Sequence, residues 1–299
     1  MNVPIFVIGS INTDMVVRTP ELPRSGQTVM GGDFLVTAGG KGANQAVAAA
    51  RLGGDVTMVA NVGSDAFGDQ ALAGLGDDDI GCAFVTRDHD APSGVALISV
   101  DDAGNNQIVV APGANDTLGI AEVDAALAQI PDGTIVLLQL EIPFETVRHV
   151  VEKLRPGACH VLLDPAPARA LPAELLGGVH LLTPNETEAE LLTGVAVHDE
   201  ESARRAAAEL LASGVENVAV TLGARGALLA NGSGSDLIPA PQVEAIDTTA
   251  AGDCFNGALA VALAGGASLH DGVAHACRVA SISVTRRGAQ DSMPYASEV

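Results

Sequence analysis

The chain has 299 residues, 47% of them hydrophobic, enough for one large domain or a large domain with a small appendage. It carries 37 acidic against 15 basic side chains, a formal charge of −22, and only 2% aromatics, a surface that repels nucleic acid and acidic membranes. No apolar run approaches the ~18 residues of a membrane span, MNVPIFVIGS lacks the layout of a signal peptide, and the cysteines at 82, 159, 254 and 277 form no CxxC pair, so reduced thiols and a cytoplasmic location are expected.

The first strand is expected at 5–10 (IFVIGS) and runs into GSINTD at 9–14. Ligands of α/β sheets bind at the carboxyl ends of strands, so Asn12 and Asp14 either meet ligand hydroxyls or bond their own backbone in a turn. Residues 14–37 have strand character with no helix between. AGGKGANQAVAAARLGG (38–54) follows, with an alanine-rich helix expected over 41–52. Glycines 39, 40 and 42 let the backbone come very close to something, either a ligand or a packed neighbour. Lys41 and Asn44 fall in the first helical turn.

A strand at 55–63 and a helix at 66–75 come next. SGVALISVDDAGNNQIVVAPG (93–113) reads as a hairpin turning at Asp102–Asn106. With 14–37 it is expected to form a small antiparallel sheet, either a lid over a cleft or a dimer surface. Helices at 120–129 and 144–155 bracket a strand at 134–140, after which stands Glu141. Strands at 160–165 and 179–184 lead to TPNETEAELLTG, with a helix at 186–192. Capping explains one or two of Asn185, Glu186 and Glu188; three together leave room for a hydrated magnesium ion. A helix at 200–213 precedes strands at 217–223 and 226–230, joined by TLGARG, which is either a hairpin turn or a nucleotide loop. The last helices are expected at 253–264 and 269–286. Glycines 53, 194, 214 and 265 follow several helices. Strand–helix alternation with strands apolar throughout predicts an α/β fold, a doubly wound, mostly parallel sheet with helices on both faces, in a single domain over 1–299.

GxGxxG, GxxxxGK[ST], HExxH and the serine elbow are absent; Leu35 stands where a P-loop containing Lys41 needs its first glycine. The seven histidines have no metal-ligand spacing. DTTAAGD (247–253) is more informative. Ala250, Ala251 and Gly252 leave amide groups unshielded at a helix start, an anion hole without a P-loop. An acid there would fill the hole itself unless Asp253 faces a substrate hydroxyl, accepting its proton while the amides hold a phosphoryl group.

GSINTD, GGKGANQAVAA, PAPAR (165–169), TPNETEAE, TLGARG, DTTAAGD-FNGAL and VTRRGAQ-S, in this order, resemble the motifs of the ribokinase-type carbohydrate kinase family over residues 3–294. The resemblance implies an α/β kinase domain with a β-sheet lid that also makes a homodimer contact, transferring phosphate from ATP to O5 of D-ribose. By motif match Asn12, Asp14, Gly40, Lys41, Asn44 and Glu141 are sugar contacts and Asp253 is the general base. Asn185, Thr221, Gly223, Gly226, Ala250, Ala251, Gly252 and Cys277 fall at the nucleotide site, and Glu188 near Mg2+ through water. Asp247, Thr249, Ser283, Arg286, Gly288 and Ser292 match a K+ site that uses some backbone oxygens. Two positions depart from the family pattern: Ala250 replaces a more usual glycine, and Cys277 replaces an asparagine near the adenine. Another sugar or nucleoside kinase, or a non-catalytic sugar-binding protein, are the alternatives on the same scaffold.

Overall fold

A computed structural model describes residues 3–155 and 157–299. In chain order the strands are β1 (Ile5–Ile8), β2 (Asn12–Thr19), β3 (Phe34–Gly39), β4 (Val56–Gly63), β5 (Gly81–Asp88), β6 (Gly94–Asp101), β7 (Asn106–Ala111), β8 (Ile135–Leu138), β9 (His160–Leu163), β10 (Leu181–Leu182), β11 (Asn217–Thr221), β12 (Ala227–Asn231) and β13 (Gly234–Ile238). The helices are α1 (Lys41–Arg51), α2 (Ala66–Asp77), α3 (Ile120–Leu127), α4 (Phe144–Leu154), α5 (Ala173–Leu176), α6 (Glu186–Thr193), α7 (Glu200–Ala212), α8 (Ala251–Ala264) and α9 (Leu269–Ser283).

Among the described residues, nine strands form one sheet in the order β13-β12-β11-β10-β9-β8-β1-β4-β5. It is parallel from β5 to β11, and β12 and β13 close one edge antiparallel. IFVI in β1 and IVLL in β8 are wholly buried, as strands covered on both faces must be. Successive side chains point to opposite faces. Ile5 and Val7 therefore join a core with α1, α8 and α9, while Phe6 and Ile8 join another with α3, α4 and α7. The expected doubly wound sheet is observed.

β1 pairs with β4 on one side and β8 on the other. From β1 the chain winds outward in one direction and from β8 in the other. This is a topological switch point, where the connections leaving adjacent strand ends diverge and a cleft opens.

The second sheet has the order β3-β2-β6-β7. Its β2–β3 and β6–β7 pairs are antiparallel, and β2 and β6 between them run parallel. The hairpin turn falls between Asp101 and Asn106, where expected. β2 begins at Asn12, so Asn12 and Asp14 are strand residues, not turn residues as the GSINTD reading allowed. β5 and β13 were not expected: both are edge strands with mixed polarity, and a search for apolar runs passes over them. α5 was likewise not expected, and the last helix ends at Ser283, three residues earlier than 286.

Candidate active site

The glycines at 39, 40 and 42 bring α1 against the chain's own β1–β2 connection. A Cβ at Gly40 would stand 2.6 Å from Asn12 N, and one at Gly42 2.6 Å from Ser10 N, while Gly40 itself adopts φ 88°. The close approach is thus to the protein rather than to a ligand. Its consequence is functional, because it aims the first turn of α1 into the cleft. Glu141 completes the start of that helix: its Oε2 accepts from Lys41 N at 3.0 Å and from Ser10 Oγ at 2.5 Å. Asn12 Oδ1 accepts from Asn115 Nδ2 at 2.7 Å, which ties the start of β2 to the turn that follows β7.

Asp253 lies in the first turn of α8 and is only 4% exposed. Its Oδ2 accepts from Asn44 Nδ2 at 2.9 Å and its Oδ1 from Gln45 Nε2 at 3.2 Å. Gln45 Nε2 also donates to Asp164 Oδ2 at 2.9 Å. Four carboxylates, of Asp253, Asp164, Glu141 and Glu188, surround the Lys41 ammonium. Burial alone would lower its pKa, but together they hold it above the ordinary lysine value. Burial holds Asp164 well above the ordinary carboxylate range, with Asp253, Glu188 and Glu141 adding to the effect and Lys41 opposing it. Asp14 is pushed up to about 6 by burial and by the charges of Glu141 and Asp253. Asp14, Lys41, Asn44, Glu141 and Asp253 therefore converge, as expected for one site.

α8 starts without a side-chain cap. Ala250, at its N-cap, has φ 57°, a left-handed conformation uncommon for alanine. Ala251 N bonds Thr248 O at 3.2 Å and Cys254 N bonds Ala250 O at 2.8 Å. The amides of Gly252 and Asp253 lie between them, in the turn where a helix offers no carbonyl partner. They face a cavity of about 230 Å3 whose lining includes Lys41, Asp164, Glu188, Ala250, Asp253 and Asn256. A larger cavity of about 510 Å3 adjoins it, sharing Asn185, Thr221, Thr248, Ala251 and Gly252. Gly223, Gly226 and Cys277 line the larger one, so the expected nucleotide residues lie around it, with Ala250 on the smaller. Burial pushes the Cys277 thiol up to about 11, which leaves it neutral, an apolar wall.

Asn185 and Glu188 satisfy each other. Asn185 Oδ1 accepts from Glu188 N at 2.9 Å, and Glu188 accepts from Asn185 N and Nδ2 at 2.8 Å each. Glu186 pairs with Arg225. Capping therefore accounts for both ends of the Asn185–Glu188 pair. Glu188 still lines the small cavity, and with both oxygens engaged it suits a hydrated cation met through water.

Asp247 Oδ1 accepts from Thr249 N at 2.9 Å and Oγ1 at 2.6 Å, and Oδ2 from Gly288 N at 3.0 Å. Burial works against its charge, but these bonds and Arg18 hold it below the usual carboxylate value. Ser283 and Ser292 hydroxyls donate to Ala280 O and Ala289 O, and the Arg286 guanidinium pairs with Glu298. What the segment offers a cation is one ionised carboxylate and backbone oxygens, an all-oxygen donor set that suits a hard ion.

Sequence reasoning missed Asp164, Gln45, Gln139, Thr183 and Asn256. Asp164 had a signal, an acid directly after a strand as at Glu141. Thr183 Oγ1 donates to Asn256 Oδ1 at 2.8 Å and Asn256 Nδ2 to Gly252 O at 3.0 Å, which braces the turn carrying the open amides. Nothing local to those two residues announces it.

The chain is similar to known carbohydrate kinases over nearly its whole length. The family model of the pfkB family carbohydrate kinases matches residues 4–296. The ribokinase of Haemophilus influenzae is 41% identical over 298 residues, which takes in 100% of this chain and 97% of that protein. A deoxyribokinase of Salmonella typhi is 38% identical over 291 residues, covering 97% of this chain and 95% of its own. The structure of Arabidopsis thaliana ribokinase complexed with ribose and ATP superposes with a TM-score of 0.90 at 32% identity, covering 99% of this chain and 97% of that one. Among the described residues no helix is long and apolar enough to cross a membrane.

Proposed function

The chain belongs to the pfkB family of carbohydrate kinases, and from that premise we propose that it phosphorylates D-ribose at O5, giving D-ribose 5-phosphate and ADP. The observation that carries the reading is the placement of a buried carboxylate, Asp253, on the smaller of two adjoining cavities, one residue after Gly252, whose open helix-start amide lies where the two meet. A base and an anion hole so close together serve one step, the transfer of a phosphoryl group to a hydroxyl.

ATP occupies the 510 Å3 cavity with its terminal phosphate toward the Gly252 and Asp253 amides. The sugar lies between Asp14, Asn44 and Asp253, with Lys41 beside them, and the lid strands β2 and β3 wall it. Asp253 accepts the proton of the 5-hydroxyl as its oxygen bonds the γ-phosphorus. The bond from that phosphorus to the β–γ bridging oxygen breaks, and ADP leaves with the electron pair. The amides hold the equatorial oxygens, where charge spreads in the transition state. Glu188 and Asp164, on the smaller cavity, would meet a hydrated Mg2+ through water, and the ion would supply neutralisation of the phosphate charge. Asp247, Thr249, Ser283, Arg286, Gly288 and Ser292, some of them through backbone oxygens, would hold K+ near the anion-hole turn.

Ribose over 2-deoxyribose is supported by the GSINTD and GGKGANQA motifs and by likeness to the ribose-bound Arabidopsis enzyme. The comparable identity to a deoxyribokinase makes 2-deoxyribose the alternative substrate. A homodimer through the lid belongs to the same reading: Phe34, Leu97 and Val109 are each more than half exposed on one face of its sheet, an apolar patch that a second copy would cover. A cytoplasmic setting is supported by four free thiols.

The test is ADP release with ribose, 2-deoxyribose, fructose and adenosine as acceptors. Ribose is expected to give the highest kcat/KM. A higher value for another acceptor overturns the ribose assignment, and no turnover with any of them overturns the kinase mechanism at Asp253.

A further inference from the structure

Two buried glutamines stand behind the carboxylates, outside every residue so far given a role. Gln45 and Gln139 are both fully buried. Gln45 sits on α1, one residue past Asn44. Gln139 follows β8, two residues before Glu141. A single nitrogen, Gln45 Nε2, donates to Asp253 Oδ1 at 3.2 Å and to Asp164 Oδ2 at 2.9 Å. The amide's orientation follows from its neighbours, since two carboxylates accept only and must be met by N–H groups. Gln45 Oε1 then faces the other way and accepts from Gln139 Nε2 at 2.7 Å. Gln139 Oε1 is buried with no partner, in a space left by Gly9, where any Cβ would overlap that oxygen.

We propose that Gln45, oriented by Gln139, is a positioning residue: it holds the Asp253 carboxylate at the angle needed to accept the substrate proton and keeps Asp253 and Asp164 apart. The inference rests on the reading of Asp253 as the base. Three observations carry it. Gln45 has no other hydrogen-bonding work, since both hydrogens of its nitrogen go to these two acids and its oxygen to Gln139. It tolerates complete burial of a polar amide, which is costly unless every group is satisfied, as all of Gln45's are. And Gln139 leaves an acceptor unsatisfied where an apolar side chain would fill the space without that cost, which is reasonable if its amide nitrogen is required.

The electrostatic surroundings make the amide useful. Facing Asp253 and Asp164 are Lys41 and Asn44 from α1, Asp14 from β2, Glu141 after β8 and Glu188 from α6. In so acidic a pocket, two carboxyl groups without a donor between them have nothing to fix their relative orientation, and like charges turn away from one another. Two N–H bonds from one neutral amide fix both carboxyl groups in place without adding a charge that would compete with Lys41.

The experiment compares Gln45→Met and Gln139→Met with the unaltered protein, measuring kcat and KM for the sugar and ATP across pH 5–9. Methionine keeps the volume and removes the donors. For Gln45→Met the expected loss in kcat is about 10- to 100-fold at neutral pH, the worth of a hydrogen bond to a charged group. KM values should move less than about 3-fold, and the acidic limb of the kcat profile should shift to higher pH. Gln139→Met is expected to lose kcat in the same direction by a smaller factor, because it frees the Gln45 amide without removing it. Near-unaltered kcat and profile in folded Gln45→Met, or a loss confined to KM, overturns the proposal. If Gln45→Met does not fold, Gln139→Met decides by the same criteria. Turnover by the unaltered protein is the control: without it the reading of Asp253 fails, whereas normal turnover with unaffected variants sinks only the role of Gln45.

Discussion

Asn44 Nδ2 stands 2.9 Å from Asp253 Oδ2, a hydrogen bond across 209 residues of chain that joins the first turn of α1 to the first turn of α8. The other oxygen of Asp253 is met by Gln45 from the same helix. The orientation of the proposed base is therefore set by α1, whose start is set in turn by Glu141 and by the glycines packed on the β1–β2 connection. Asn44 Oδ1 accepts from Gln290 Nε2 at 3.3 Å, which extends the same chain of contacts toward the Gly288 segment.

Replacing the base tests the mechanism most directly. Asp253→Asn keeps the volume and both neighbouring amides but cannot accept the hydroxyl proton. Its kcat is expected to fall by roughly 10²–10⁴, while calorimetry still detects sugar binding and circular dichroism is unaltered. Turnover close to normal would remove Asp253 from the reaction.

Asp14 provides a pH signature. Its carboxyl is raised from the ordinary value of 3.8 to about 6 in the folded protein. The folded state therefore binds this proton more tightly than the unfolded chain. Its contribution to stability is fully present below pH 3.8 and is lost as pH rises through about 6. Asp14→Asn, which is neutral at every pH, should raise the melting temperature above pH 6 relative to the unaltered protein, with the gain shrinking toward pH 4. Ribose affinity of the unaltered protein should weaken as the pH falls through about 6, where Asp14 loses its charge. A melting-temperature difference that is flat across pH 4–8 contradicts this assignment.

Ala250 carries a backbone cost that glycine would not. A left-handed conformation costs a non-glycine residue about 1–2 kcal/mol, and glycine returns about 0.4–1 kcal/mol of that through the greater freedom of the unfolded chain. Ala250→Gly should therefore raise unfolding free energy by about 0.5–1 kcal/mol in a denaturant titration. A loss of stability would mean that this turn relaxes differently from its observed φ of 57°.

The lid patch predicts an oligomeric state. Val109 is 66% exposed on β7 and stands across from Leu97 of β6, itself 53% exposed on the same face. The unaltered protein is expected to sediment as a dimer at micromolar concentration, and Val109→Asp as a monomer with weakened sugar affinity. A monomeric unaltered protein removes the dimer from the proposal.

Some of this protein is decided within short stretches of chain. The alternation of fully apolar runs with helical periods leads to a covered, mostly parallel sheet because the backbone must pair and both faces must be buried. An alanine-rich helix behind three glycines and an acid after AAG are likewise local patterns, and they are where Lys41, Asn44 and Asp253 were found. The motif order makes the family resemblance legible for the same reason, since each motif is contiguous. Other features exist only once the chain is folded. Asp164 and Gln45 lie 119 residues apart and Gln139 and Gln45 94 apart, so no spacing rule links them. Asn185 and Glu188 read equally well as ligands or as caps until a 2.8 Å bond shows them capping each other. The edge strands β5 and β13 are half-exposed, with apolar runs cut short by polar residues (CAFV before TRD, LI after GSD), and are recognisable only from the strands they join. Local sequence dictates backbone conformation and which side chains are available; which of those side chains share a hydrogen, and which repel across a few ångströms, is decided by packing that brings distant segments together.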